Sequence, residues 1–354
     1  MSILPVAHIA SQGSRIRLDG GTLVVTQPDE SSTHLQIGLI GGLVLLGAVE
    51  ISTGAQLALA DRGIACVFAT RGGRVRGVLA PPSKIQSDRR QLQHELERER
   101  DASSTATRPL VFAQRVVMEK VEAMLGIVTQ HQRSHDDVHL TMPIRRMRRL
   151  LEGVQHAVSI DALRGYEGAS AAQYFGCLPF LCRSELKTQF RSRRPPKDPI
   201  NAALSLGYGL LVGELTATIL ARGLDPSLGV LHPPTDGRPS LALDLVEPLR
   251  HAIVDRLVLR AANRNELLQS DFVAVETDQG SGFHFTDTGR GKFLRLYQTA
   301  MGASISGAGA NAGAIPRDAR WLISNAVDAY ESTLGGKSVA ATLDLEVSES
   351  LLVP

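Results

Sequence analysis

PPSKIQSDRRQLQHELERERDASSTATRPLVFAQRVVMEKVEAMLGIVTQHQ, residues 81–132, is the stretch on which the fold turns. Upstream of Pro81-Pro82 the apolar runs are short and β-like. Downstream of Arg108-Pro109 they recur every three to four residues. Between the two lie a charged arm, QLQHELERER, and a Ser/Thr/Ala break, DASSTAT. Period-two alternation marks strands, and a three-to-four period marks helices that bury one face. The expected class is α+β: a small β-rich domain over residues 1–82, a polar linker over 83–108, a larger all-α domain over 109–340 and a tail over 341–354.

Before the break, RIRLDGGTLVV reads as strand, Asp19-Gly20-Gly21 turn and strand, because glycine accepts positive φ and the flanks alternate. LQIGLI and GGLVLLGAVEI continue a small sheet. STGAQLALADRG reads as a helix capped by Ser52 or Thr53 and ended by Gly63, and IACVFAT and GRVRGVLA return to strand. After the break, MRRLLEGVQHAV, GASAAQYFGCLPFL, INAALSLGYGLLVGELTATILARG and ALDLVEPLRHAIVDRLVLRAANRN all carry helical spacing.

A chain of 354 residues with 43% hydrophobic and 21% charged residues has ordinary globular composition and length for two domains. The net charge of +2 does not announce a nucleic-acid binder, so local clusters must carry that argument. Cys66, Cys177 and Cys182 form no CxxC pair, which argues against a disulfide framework or a thiolate metal site and fits a cytoplasmic protein. No stretch reaches about 18 uninterrupted apolar residues, and MSILPVAHIA has no basic region ahead of an apolar run, so neither a membrane span nor a leader is expected.

The chemistry lies in the helical part. Glu167 stands among small residues in LRGYEGASAAQYF, where close approach of backbone or ligand is expected. LHPPTDGRPSLALDLVEPLR carries His232, Asp244 and Glu247, with the two acids at helical spacing on one face. Pro248 removes the amide that would bond the carbonyl of Asp244, so a kink is expected there. A lone loop histidine or an i, i+3 acid pair is ordinarily a solvated feature. Here the acids interrupt an apolar run, where burial without a partner is costly. Carboxylates with an imidazole suit a divalent ion acting on phosphate. Cys177, Cys182, Tyr174 and Tyr208 read as core. Two basic knots, Arg145, Arg146, Arg148 and Arg149, then Arg183, Lys187, Arg191, Arg193, Arg194 and Lys197, suit phosphate tracking.

These blocks, with FTDTGRGKFLRLYQ and LLGAVEISTGAQLALADRGIACVFATRGGRVRG, resemble the CRISPR-associated adaptation integrase family, Cas-one, also described as an endonuclease. The resemblance implies Mg²⁺ or Mn²⁺ held by Glu167, His232 and Glu247, with Asp244 as an additional ligand or a group behind the ligands. It implies attack of a DNA fragment's 3′-hydroxyl, or of water, on a phosphodiester, with the ion stabilising the leaving oxygen. Arg183, Lys187, Arg191, Arg193, Arg194 and Lys292 are the implied DNA contacts. Implied partners are double-stranded DNA, a second copy through the β-rich domain, and a Cas-two dimer clamped between two such dimers. Tyr166 departs from the small aliphatic usual before the glutamate. Two other classes remain open on the residues alone. A phosphoesterase would want the same ligands without the basic knots, and a non-catalytic DNA-binding subunit would keep the knots and could lose the ligands.

Overall fold

The structure is a computed structural model and describes residues 4–100, 107–305 and 317–336. The break at 101–106 and the tail at 341–354 lie outside the described residues. In chain order the first elements are β1 (Val6–Ile9), β2 (Arg15–Asp19), β3 (Thr22–Thr26), β4 (Ser32–Gln36), β5 (Gly42–Leu46), β6 (Glu50–Ile51), α1 (Thr53–Asp61), β7 (Ala65–Ala69), β8 (Val75–Leu79) and α2 (Ser87–Arg100). They are followed by α3 (Arg108–His135), α4 (Thr141–Gln155), α5 (Ile160–Leu181), α6 (Pro199–Ala221), α7 (Ser240–Leu249) and α8 (Arg256–Asn263). The last are β9 (Phe272–Thr277), β10 (Gly280–Phe285), α9 (Asp287–Gly302), β11 (Ser304–Ile305), β12 (Arg317–Asp318) and α10 (Ala319–Leu334).

The strands form two four-stranded sheets, ordered β1-β5-β7-β8 and β4-β3-β2-β6. The β2–β3 hairpin closes through Gly20-Gly21 as the sequence predicts, with Gly20 at φ +57°, a conformation glycine adopts without a steric penalty. Ser52 caps α1 by accepting the Ala55 amide. Ile16, Leu23, Val25, Leu43, Leu45, Leu59 and Cys66 close one apolar core among these elements.

The chain divides into two compact units, but not at residue 82. One is Met1–Glu99 with Tyr208–Val246 and Ile323–Lys337, and the other is Arg100–Gly207 with Glu247–Leu322 and Ser338–Pro354. Small residues explain why the sheet recruits a distant helix. A side chain begun at Gly209 would meet Gly73 Cα at 2.6 Å, one at Gly213 would meet Val44 at 3.2 Å, and one at Gly42 would meet Ala217 at 2.9 Å. Positions 209, 213 and 217 recur every four residues along α6, so one face of that helix lies backbone-close on the strands. The region expected as linker is α2. There Gln93 donates to the carbonyl of Asp225 at 3.0 Å and Arg89 pairs with Glu331, tying the arm to later segments. By length and composition α6 alone among the described helices could cross a membrane, and 83% of its most apolar window is buried.

In the second unit α3, α4 and α5 pack together. The sequence reading of this region as all helical is corrected by the antiparallel β9–β10 hairpin, which places Phe272 opposite Phe285 with ring centroids 4.4 Å apart. Its alternation, FVAVET and GSGFHF, is short and interrupted by glycine. After α7, Arg250–Asp255 form a π turn, so the chain accommodates Pro248 by a wider turn just beyond it.

The His8 side chain, 2% exposed, lies 3.7 Å from Glu214 in the first unit. Burial, only partly offset by a backbone hydrogen bond with Leu210, pushes its pKa down to about 4, so the ring is neutral at pH 7 and the contact is not an ion pair. A folded-state pKa below the ordinary 6.5 means that the unfolded chain takes up the proton first as pH falls. The stability is present above pH 6.5 and is lost between about 6.5 and about 4, by about 3 kcal/mol. His8→Gln should flatten that part of the stability–pH curve in urea denaturation. A curve parallel to wild type would contradict this.

Candidate functional site

In the second unit, α3 brings Lys120 to two carboxylates that are far apart in sequence. Its ammonium pairs with Glu167 of α5 and donates to Oε2 of Glu247 at 2.5 Å. Arg250 donates to the other Glu247 oxygen at 2.9 Å. Lys120 and Glu247 are buried, whereas the Glu167 side chain is 23% exposed. An ammonium 5% exposed is stable there because two anions neighbour it. Gly165 and Gly168, on either side of Glu167 in the sequence, are exposed, with open space where a side chain would begin. Neither glycine is required by a close neighbour in this structure. Tyr166 turns the other way and lays its ring against Gly153 of α4, which accounts for an aromatic at that position.

Further along α5, a buried network fixes that helix against the π turn. Tyr174 donates its hydroxyl to Asp255 at 2.7 Å, and His251 Nδ1 lies 2.7 Å from the same Asp255 oxygen. Tyr174 is fully buried, in keeping with its reading as a core aromatic with a bonded hydroxyl. The three cysteines are free and buried, and burial is the leading cause of the raised pKa of each thiol.

In the first unit Asp244 of α7 is fully buried and organises the loop that carries His232. Its carboxylate accepts the backbone amides of Val230 at 2.5 Å, Leu231 at 2.9 Å and His232 at 2.9 Å. His232 Nδ1 lies 2.6 Å from Oδ1 of the same carboxylate. A carboxylate can only accept, so Nδ1 carries the proton and Nε2 is left as the basic nitrogen. Gly229 permits the tight loop, since a side chain there would sit 2.8 Å from Ser240.

Among the described residues no three His, Cys, Asp or Glu side chains stand together in ion-holding geometry. What the structure brings together is Glu167 and Glu247 on Lys120, and His232 on Asp244. Sequence reading misses Lys120 and Arg250. Lys120 sits at a core-facing position of an amphipathic helix, and the one signal for it is a lysine inside the apolar run VVMEKVEAML. Of the residues expected to meet DNA, Arg183, Lys187, Arg193 and Arg194 are exposed. Arg191 is engaged internally, donating to Asn201 at 2.8 Å and Ser205 at 3.2 Å, and Lys292 pairs with Asp271 at 2.9 Å. Arg145, Arg146, Arg148 and Arg149 all stand exposed on α4.

The family model for the CRISPR associated protein Cas1 matches residues 7–299. The CRISPR-associated endonuclease Cas1 2 of Rhodospirillum rubrum is 32% identical over 307 residues, spanning 84% of this chain and 86% of its own length. A Cas4 exonuclease/Cas1 endonuclease fusion of Geobacter sulfurreducens is 30% identical over 84% of this chain, which spans 53% of that longer protein. Among solved structures, a Cas1 protein from Thermotoga maritima superposes with a TM-score of 0.76 at 22% identity, covering 94% of this chain and 98% of its own. A casposase bound to integration product gives 0.76 at 20% identity, covering 98% and 93%.

Asp244 carries four polar contacts and is itself fully buried, so Asp244→Ala should lower stability by about 3 kcal/mol or more, with two buried amides and one half-buried amide left to find other acceptors. Urea denaturation of the purified variant measures this. A loss under about 1 kcal/mol would mean that the loop does not depend on the carboxylate.

Proposed function

This chain belongs to the family of the CRISPR associated protein Cas1, and from that premise we propose that it is a metal-dependent DNA endonuclease and integrase that inserts short DNA fragments into a CRISPR array. The observation that carries the reading is the convergence of Glu167 and Glu247 on one cation, at the motif positions where the family places its acids. A point already holding a buried positive charge between two carboxylates is chemically suited to Mg²⁺ or Mn²⁺, hard ions that take oxygen ligands. Glu167, Glu247 and His232 are the residues proposed to hold the ion. Asp244 is proposed to act through His232 rather than as a ligand, since its oxygens already serve three amides and the ring, and by fixing the Nδ1 proton it leaves Nε2 to coordinate.

When bound, the ion would supply Lewis-acid stabilisation of charge on the scissile phosphate and its leaving oxygen. In strand transfer the 3′-oxygen of the fragment forms the new bond to phosphorus. The old P–O bond breaks, and the leaving strand departs with a 3′-hydroxyl. Water in place of the 3′-hydroxyl gives the nuclease reaction. The chain's own contribution is charge and position: two carboxylates, an imidazole of fixed tautomer, and exposed arginines on α4 and in the 183–194 segment to follow the backbone. The proposed partners are double-stranded DNA, a second copy through the β-rich elements, and a Cas2 dimer between two such dimers. In support, two of the similar solved structures are a Cas6-RT-Cas1–Cas2 complex and its partial form, and the casposase is bound to integration product.

Glu167→Gln, Glu247→Gln and His232→Ala should each reduce Mn²⁺-dependent cleavage and strand transfer on labelled branched DNA by at least about 100-fold while the helical circular dichroism is unchanged. Near-normal activity in one of them removes that residue from the proposed set. A phosphomonoester assayed in parallel separates this reading from a general phosphoesterase.

DNA affinity should fall steeply with salt, and neutralising Arg193 and Arg194 together should reduce the log–log slope by about 2, one for each phosphate that is no longer neutralised. An unchanged slope in a filter-binding titration would take that segment out of the DNA path.

A further inference from the structure

Lys120 touches both acids of the carboxylate pair, and the proposed reaction leaves it without a task. Its position is specific. The ammonium is buried, and it binds Oε1 of Glu167 and Oε2 of Glu247 at once. Arg250 holds the remaining Glu247 oxygen. With two carboxylates, one ammonium and one guanidinium, the formal charge of the four groups is zero. Resting on the ion site proposed above, a divalent ion reaching the same oxygens would add two positive charges to a set already balanced. It would draw on the same two carboxylates, and the ammonium now holds one oxygen of each, Oε1 of Glu167 and Oε2 of Glu247. Arg250 takes the far oxygen of Glu247 and need not move. Lys120 must, and its four-carbon stem allows a swing that a guanidinium fork would not.

We propose that Lys120 is the resident cation of the carboxylate pair, and that its ammonium and the divalent ion exclude each other: the lysine holds Glu167 and Glu247 together and electrically balanced in the ion-free protein and is displaced when the ion enters. Lys120 is thus a positioning residue that keeps the site assembled and sets the affinity threshold for metal. The protein's ion affinity is the net result of an exchange of one cation for another, lower than the two acids alone would give. Coupling of this kind follows from linkage, since whatever favours the lysine-paired state weakens the ion-bound one by the same factor.

The test measures ion binding rather than turnover. Mn²⁺ titrated calorimetrically into the full chain should bind Lys120→Met and Lys120→Gln at least about tenfold more tightly than wild type. Without metal, both variants should melt at a lower temperature than wild type, and Mn²⁺ should restore most of the difference. A second measurement uses the unmodified protein and does not depend on the variants folding. In ¹⁵N-lysine NMR the protected Lys120 ammonium resonance should move or vanish as Mg²⁺ saturates. Equal or weaker Mn²⁺ binding by the folded variants, or an ammonium signal unmoved at saturating Mg²⁺, overturns the proposal. Glu167→Gln and Glu247→Gln separate the two layers. If both lose Mn²⁺ binding while the lysine variants bind as wild type does, the lysine inference fails and the ion site stands. If both still bind Mn²⁺, the ion site itself falls and the inference with it.

Discussion

Two carboxylates brought together away from water repel each other by about 4 kcal/mol at a separation of about 4 Å in a surface-like dielectric, and by more as water is excluded. Glu167, partly exposed, and buried Glu247 meet on one ammonium, from helices well separated in the chain, and the cations beside them answer that repulsion. Lys120 lies between them, Arg250 flanks one, and the Tyr174–Asp255–His251 network holds α5 to the turn after α7. The π turn belongs to the same logic. With the Pro248 amide absent, one ladder bond is missing already, and the wider turn follows directly in the chain that carries Glu247, His251 and Asp255.

The first unit solves a related problem with hydrogen bonds rather than counter-charges. Asp244 is fully buried, and its carboxylate is met by backbone amides drawn in from the Val230–His232 turn. The two acids of one helix, three residues apart, therefore do different work. Asp244 is spent on shaping a loop and fixing a tautomer. Glu247 is left with an oxygen whose partner can be exchanged. Burial alone does not separate these roles, since both are nearly inaccessible. The partners do.

Much of this is legible in the sequence, and the limits have physical causes. The β2–β3 hairpin, the Ser52 cap and the positions of the long helices follow from local rules of turn, cap and period, and they stand where those rules put them. The motif acids and His232 are legible because their residue types and spacing are chemically unusual in apolar runs. Lys120 is not, because a lone lysine in an amphipathic helix is ordinarily a solvated residue, and only the third dimension reveals that α5 and α7 each aim a carboxylate at it. The division of the chain is hidden too. Gly209, Gly213 and Ala217 carry helical spacing that predicts a buried face, yet small residues say nothing about what they are buried against. The Phe272–Phe285 hairpin escapes for the opposite reason, because its strands are short and two glycines interrupt the alternation.

The first unit is stitched from three stretches of chain, and its last piece, Ile323–Lys337, comes near the C-terminus, where Glu331 pairs with Arg89 and Arg222, and Asp328 pairs with Arg222. On a ribosome this ordering has a temporal meaning. The strands of the two sheets are made first, yet the helix that lies glycine-close upon them arrives much later, and the segment that closes the unit later still. At about 5–20 residues per second, the early sheets wait on the order of tens of seconds with their α6-facing surface uncovered. Synthesis is thus the interval in which those strands are most open to mispairing, and a chain stalled short of residue 323 would leave its oldest part unfinished.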